Sequence, residues 1–397
     1  MNNIKIITCL QDGVLADALY EEGKLMELSL LPAGRSSILG NIYIGKVKNI
    51  VKNIGAAFVE IDHGIICYLP LEDVKSPIYT RPKKQMKLTE GDELLVQVCR
   101  EAVKTKAPSV TTNLSLTGKY LVLTTGNTVV GYSSKLKSED KVRIRTWIEN
   151  WRLPDAGLII RTNAGQAEQE DFCREYEKLL NQYRYLTEQA VHRTVRSCVQ
   201  KGRPPYLDAI LGSRSENLQE ILTDDKEVYE QIQNFLQDEM PENTGKLRFY
   251  EDQKLSLKAL YRLEKGLTDA LSSKIWLKSG AYLIIEPTEA LTVIDVNTGK
   301  YASGKNKQET IWKINLEAAG EIARQLRLRN LSGMILVDFV DMERKEKKQE
   351  LLACMKEFLR RDPQKASAVD MTGLGLMELT RKKQRKTLWE QAKECGI

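Results

Sequence analysis

The sequence predicts a chain of several subdomains that mixes α/β and α+β parts, and three observations lead to that class. Near the C-terminus, two runs rich in Val, Ile and Leu, LTVIDVNTG (residues 291–299) and GMILVDFVDM (residues 333–342), flank one long helical stretch, the pattern of a strand–helix–strand unit. Between residues 36 and 118, five short alternating segments punctuated by Gly55, Asp62, Gly64 and Gly91 have the rhythm of a small closed barrel. At the N-terminus, NIKIITCL and KLMELSLL read as short strands that cannot form a domain alone.

Composition narrows the class further. With 397 residues, 42% hydrophobic and 29% charged, the chain has room for two to four domains. Neither a signal-like apolar segment nor a run approaching a membrane span is visible, so a cytoplasmic protein is expected. The seven cysteines are scattered with no Cys-x-x-Cys pair, which argues against a disulfide scaffold or a zinc ribbon. Only His63 and His192 represent histidine, far apart in sequence. Acid–base chemistry through histidine is therefore disfavoured, and a metal is left as the source of electrostatic catalysis.

Taken in order, residues 1–35 supply the N-terminal strands. Residues 36–118 follow as an OB-type barrel, a fold that offers aromatic and basic side chains to single-stranded nucleic acid. Phe58, Tyr68, Lys46, Lys48 and Lys106 are the candidates, while the strand pattern allows Phe58 equally well as a core residue. From 119 to 165, strands and the helix SEDKVRIRTWIENW lead to GLIIRTNAG, where Arg161 and Thr162 end a strand before a glycine turn and could grip a terminal phosphate. Residues 167–200 read as one long helical region with Phe172, Tyr176, Leu179, Tyr183 and Leu186 on its packing face. Residues 201–278 mix helix and strand, end in a helix at Trp276, and carry no motif with readable chemistry.

Beyond residue 279, ETIWKINLEAAGEIARQLRLRN places Ile311, Ala318, Ala319, Ile322 and Leu326 on one helical face. A crossover of that kind joins parallel neighbours, so both strands end on one sheet edge and bring Asp295 and Asp338 together there. Two adjacent carboxylates repel. They are tolerable if one is protonated or if a hard cation lies between them, and Mg²⁺ suits such a pair with water and phosphate oxygens. A lone Asp at a strand end is more often a turn former, and Asp341 reads that way, as the N-cap of the helix MERKEKKQELLACMKEFLRR. Arg324, Arg327 and Arg329 close the crossover helix and TRKKQRK follows at 380–386. From residue 279 onward, 21 Lys and Arg stand against 17 Asp and Glu, a net +4 of the chain's +6; this mild excess supports phosphate binding as steering and positioning, while an ordinary solvated helix face reads equally well for any single residue.

These residues carry a resemblance. TVIDVNTGKYASG, NLEAAGEIARQLRLRNLSGMILVDFVDM and GLGLMELTRKKQRKTL, with NIYIGKVKNI, AAFVEI and YLPL in the barrel, resemble the ribonuclease E/G family over nearly the whole chain. The resemblance implies that Asp295 and Asp338 bind the catalytic Mg²⁺, that Asn297 orients the site and that Lys365 contacts the scissile region. It further implies RNA contacts from Phe58, Tyr68 and Lys106, and a 5′-monophosphate pocket at Arg161 and Thr162. The architecture it implies is an RNase H-like part (1–35 and 215–278), the inserted OB-type barrel (36–118), a 5′-sensing subdomain (119–214) and a DNase I-like catalytic subdomain (279–397). Its activity would be endoribonucleolytic, with single-stranded RNA cut by Mg²⁺-activated water to leave 5′-phosphate and 3′-hydroxyl ends in RNA processing or decay. The alternative is a non-catalytic RNA-binding regulator of the same fold. The family pattern continues into a Cys-x-x-Cys that shares zinc across a dimer, whereas this sequence has only Cys395 there. A zinc link is therefore not expected, and any homo-oligomer would rest on surface burial.

Overall fold

The computed structural model describes residues 3–32, 37–83, 87–102, 107–149, 151, 156–212, 218–299, 307–383 and 385–397. The chain divides into two compact units, one made of Met1–Gly34, Ser215–Gln233 and Asn243–Ile397, the other of Arg35–Arg214 and Asn234–Glu242.

The first unit holds two sheets. Three N-terminal strands, Asn3–Gln11, Val14–Glu21 and Lys24–Pro32, run as an antiparallel meander. Its second turn is two residues long, Glu22 and Gly23, both with positive φ, the conformation that matches the twist of the flanking strands. The strands that this meander lacks come from much later in the chain. Leu218–Thr223 pairs parallel to Asn3–Gln11, and Leu247–Phe249 pairs parallel beyond it. Ile6, Ala16, Ala18, Leu28 and Leu30 of this sheet share a core with Leu257, Leu263, Leu267 and Ala270 of the helical segment that follows.

The second sheet has six strands in the order Lys274–Trp276, Tyr282–Pro287, Leu291–Asn297, Gly333–Asp338, Met377–Arg381, Ala366–Met371. Only the pair Leu291–Asn297 and Gly333–Asp338, joined by the crossover helix Lys307–Leu328, is parallel among sequence-adjacent pairings. Leu283, Ile285, Ile294, Val296, Ile335 and Val337 face one way, onto Ile311, Ile314, Ala318, Ala319 and Ile322 of the crossover helix and Leu351, Met355 and Leu359 of the helix Lys345–Arg360. Helices thus cover one face, and Val293, Met334 and Trp276 on the other are exposed. The sequence expectation of a helix ending at Trp276 is corrected here. The helix Leu263–Leu271 stops earlier, and Trp276 closes an edge strand.

In the second unit, Ile42–Val51, Ala56–Asp62, Ile65–Pro70, Ser109–Thr111 and Glu93–Arg100 form a barrel that closes where the first strand pairs with the last. Gly45 is needed at its crowded interior, because a Cβ there would lie 2.5 Å from a Val59 methyl carbon. Cys198–Gln200 pairs with Ile42–Val51, so the region read as one helix to residue 200 ends instead in a strand. A four-stranded sheet (Ser115–Thr117, Leu121–Thr124, Val130–Tyr132, Gly157–Ile160) packs with the helix Gln169–Arg184, whose Phe172, Tyr176 and Leu179 are buried. Among the described residues no helix is long and apolar enough to cross a membrane.

Candidate active site

Asp295 and Asp338 are register partners in the parallel strand pair. Partners in a parallel ladder project to the same face, and adjacent strands lie roughly 4.8 Å apart, so the two carboxylates are immediate neighbours. Alternation sends Ile294 and Val296 into the core and leaves Asp295 half-buried and Asp338 exposed on the helix-free face. The sequence expectation had put the pair at an edge formed by strand ends. Asp338 does end its strand, but the Asp295 strand continues two residues to Asn297, so the pair lies on the open face beside that edge. The reason is that a Val/Ile-rich run in a mixed, two-layer sheet needs cover on one side only, and the other side is free to carry charge.

Around the pair, three residues set the geometry. Asn297 Nδ2 donates to Asp295 Oδ2 at 2.6 Å, which ties one oxygen of the carboxylate to its neighbour on the same face. Gly299 follows with φ +60, and a Cβ there would come within 2.4 Å of the Gly280 carbonyl oxygen, so the turn after Asn297 closes against the Gly280 turn only as glycine. Fully buried Asn315 on the crossover helix donates from Nδ2 to the Val340 carbonyl (2.7 Å) and accepts from the Val340 N–H at Oδ1 (3.1 Å). One side chain thereby holds both backbone groups of a residue two beyond Asp338. No sequence periodicity marks Asn315 as more than a polar residue on an apolar helix face. Its signal is that an asparagine in that position must find buried partners.

Asp341 does not cap the following helix. That helix begins at Lys345 with Arg344 at its N-cap and no side-chain cap, and Asp341 is exposed next to the pair. Burial raises the Asp338 carboxyl above the usual carboxylate range, and the charges of Asp295 and Asp341 raise it further. Among the described residues no group of three or more His, Cys, Asp or Glu side chains could by itself enclose a metal.

The remaining predicted residues are dispersed. Lys365 is exposed, but it precedes a strand whose first residue, Ala366, is in register with Arg381 and through it with Gly333. It therefore lies at the Gly333 end of the six-residue strand that Asp338 terminates, on the order of 16 Å along the strand. Phe58 and Tyr68 are register partners on adjacent barrel strands, half-buried, with ring centroids 6.2 Å apart, and neither belongs to the barrel core. Lys46 pairs with Glu93 (3.7 Å) and Lys48 with Glu60 (3.4 Å). Lys106 lies outside the described residues. Arg161 donates to the Gly118 carbonyl in a buried setting that lowers its pKa, while Thr162 shares a hydrogen bond with the Ser133 hydroxyl at 2.8 Å.

The arginines behind the basic excess of residues 279–397 have structural partners. Arg327, 9% exposed, forms ion pairs with Glu21 and Glu27 at 2.7 Å each, and Arg324 grips Glu321 and the Leu25 carbonyl. Buried Arg329 donates to Gln325 and the Asp269 carbonyl. Arg381 of the TRKKQRK run is buried against Asp362 at 2.7 Å. Charges at buried positions must be paired, so these residues tie elements together rather than wait for a ligand.

The fold and site define an α/β protein with a carboxylate pair on an open sheet face and, in its other unit, a small closed barrel. Comparison with known proteins places that class. The model of the ribonuclease E/G family matches residues 115–384 and that of the S1 RNA binding domain residues 38–113. The chain is 34% identical to ribonuclease G of Haemophilus influenzae and 31% identical to ribonuclease G of Escherichia coli K12, in each case over 94% of this chain and 78% of that protein. It is also 33% identical to ribonuclease E of a Synechocystis species, over 96% of this chain and 57% of that protein. The chain belongs to the ribonuclease E/G family.

Proposed function

We propose that the protein is an endoribonuclease that hydrolyses single-stranded RNA at the Asp295–Asp338 pair and leaves 5′-phosphate and 3′-hydroxyl ends. The observation that carries this reading is the register pairing of the two carboxylates on an open face, in a chain of a ribonuclease family. The same family membership supports assigning the N-terminal strands with residues 215–278 to an RNase H-like part, 119–214 to 5′-end sensing and 279–397 to a DNase I-like catalytic part.

The donor set fits Mg²⁺. Asp295 and Asp338 would hold it, since two neighbouring carboxylates with open coordination toward water and substrate phosphate are what a small, hard cation prefers. When bound, Mg²⁺ would neutralise charge on the phosphate and lower the pKa of the attacking water. The protein's own residues supply geometry. Asn297 holds the Asp295 carboxylate in one rotamer, and Asn315 holds the backbone beyond Asp338, so neither carboxylate must reorganise during the reaction. Phe58 and Tyr68 offer adjacent rings for base stacking in the S1 domain, with Lys106 as a phosphate contact. Arg161 and Thr162 would receive a 5′-monophosphate, and exposed Lys365 would meet the RNA backbone at a distance from the scissile bond.

The test is cleavage of a labelled single strand across an Mg²⁺ titration by the unmodified protein and by Asp295→Asn and Asp338→Asn. Both substitutions should abolish cleavage while RNA affinity stays within a few-fold. Near-normal turnover in either variant would remove the assignment.

A further inference from the structure

The open face of the catalytic sheet carries a second feature, one register row from the carboxylates. Trp276 is the register partner of Tyr282, and Tyr282 is the register partner of Asn297, so two aromatic rings continue the row that Asn297 begins. The burial pattern puts all three on the same face, since Leu283 and Val296, their neighbours in sequence, enter the core. Trp276 is 64% exposed. Its ring centroid lies 5.2 Å from that of Tyr282 at an interplanar angle of 59°, and Lys274 Nζ sits 4.3 Å from the Trp276 centroid and 3.9 Å from the Tyr282 centroid. Lys274 itself occupies the row of Asp295, separated from it by Ile284. Nothing about the sheet's stability calls for a tryptophan at this place. An indole with most of its surface in water forfeits its burial energy, and the sheet core is complete on the other face.

We propose that Trp276 and Tyr282 form a base-stacking platform for the RNA strand lying across the catalytic face, with Lys274 as the cation for the phosphate beside the stacked base. This rests on the endoribonuclease reading of the Asp295–Asp338 pair. Three properties select a nucleic-acid strand over other occupants. The platform is continuous with the carboxylate pair, its aromatic surface can stack any base, and its one charged group is positive. Tyr282 stands one strand and one register row from Asp295, roughly 8 Å, and Trp276 one strand further, roughly 12 Å, so a strand whose phosphate reaches the two aspartates can set a base one or two nucleotides along on these rings. The platform would thus hold the strand in the extended, unpaired form that a base pair forbids, and it would contribute to single-strand selection at the site of cutting.

The experiment uses the full chain in a chelating buffer, where binding is read without cleavage, and a set of short single-stranded RNAs in which one nucleotide at a time is abasic. RNA should quench a share of the tryptophan emission that Trp276→Phe removes. Trp276→Ala should weaken RNA binding about fivefold to tenfold, the lower part of what stacking one base contributes. Trp276→Phe should bind within twofold of the unmodified protein, and the melting temperatures of both variants should stay within about 2 °C, as expected for an exposed side chain. One abasic position should weaken binding to the unmodified protein and have no effect on Trp276→Ala. Unchanged affinity and an unchanged abasic profile in Trp276→Ala would overturn the platform, even with cleavage by the unmodified protein intact. Conversely, cleavage that survives in Asp295→Asn would sink the carboxylate assignment while leaving the stacking result to be read by itself.

Discussion

Asp338 shows how a single side chain links burial, charge and ligand. Its carboxyl group is raised above the usual range by burial first and then by Asp295 and Asp341. A carboxyl raised in the folded state contributes stability that is present at low pH, where it is protonated, and that is lost as pH rises through the raised value. Metal-free protein at neutral pH therefore carries a local repulsion. Asp338→Asn should raise its melting temperature by about 1 to 2 °C at pH 7, and the gain should vanish in acid below the ordinary carboxylate range. A gain that persisted unchanged in acid would mean that the repulsion is not the cause. Asn315 gives a contrasting case, since it never meets substrate. Asn315→Ala would leave the Val340 N–H and C=O without their partner, at a cost of about 2 to 4 kcal/mol, and would free the segment between Asp338 and Asp341. The folded fraction should show kcat reduced about tenfold with KM for RNA nearly unchanged. A KM effect alone would instead assign Asn315 to RNA binding.

At the scale of elements, the crossover helix performs two tasks with different residues. Its apolar face fills the core beneath the strands that carry Asp295 and Asp338, and its C-terminal arginines fasten it to the N-terminal meander through Glu21, Glu27 and the Leu25 carbonyl. Burial by itself would lower the Arg327 pKa, but the hydrogen bonds and charges of Glu21 and Glu27 reverse this and leave it raised. Both glutamates are about a third exposed, so solvent screens part of the attraction. Arg327→Leu should destabilise the protein by about 2 to 3 kcal/mol in urea unfolding and leave RNA affinity per folded molecule unchanged. If affinity fell with stability intact, Arg327 would instead be a phosphate ligand. The meander depends on this attachment because its own three strands bury little without the partners that arrive from residues 218–249.

At the scale of the whole molecule, candidate RNA contacts are spread over separate parts of the chain: rings on the barrel, Arg161 and Thr162 in the 119–214 region, and the carboxylate face in residues 279–397. Each of these is tested by itself, and 5′-end sensing yields a kinetic expectation. A 5′-monophosphorylated substrate should be cut about tenfold faster than its 5′-hydroxyl twin, and Arg161→Ala should erase the difference, the size expected for a charge-assisted bidentate contact. Equal rates with the unmodified protein would remove Arg161 and Thr162 from the RNA path. The buried setting of Arg161, already donating to Gly118, makes this the more demanding of the two outcomes, because the phosphate must approach a guanidinium that is largely desolvated.

Periodicity and turn chemistry by themselves determined the strand–helix–strand unit, the five barrel strands and the residues of the crossover helix that enter the core, because each depends on spacing within a short window. The motifs around Asp295, Asn297 and Asp338 likewise identified the family without coordinates. Only the tertiary structure decided which face of the six-stranded sheet is open, since that follows from how many helices pack on it and not from the strands' own hydrophobicity. It decided as well that Arg324, Arg327, Arg329 and Arg381 are consumed by ion pairs and carbonyls, a property of distant partners that no local run of basic residues reveals. Trp276 marks the limit most clearly. Read locally it ended a helix, and only strand pairing with Tyr282 and Asn297 put it on the face of the carboxylates, one register row and two strands from Asp295, because register is a relation between segments that a single segment cannot encode.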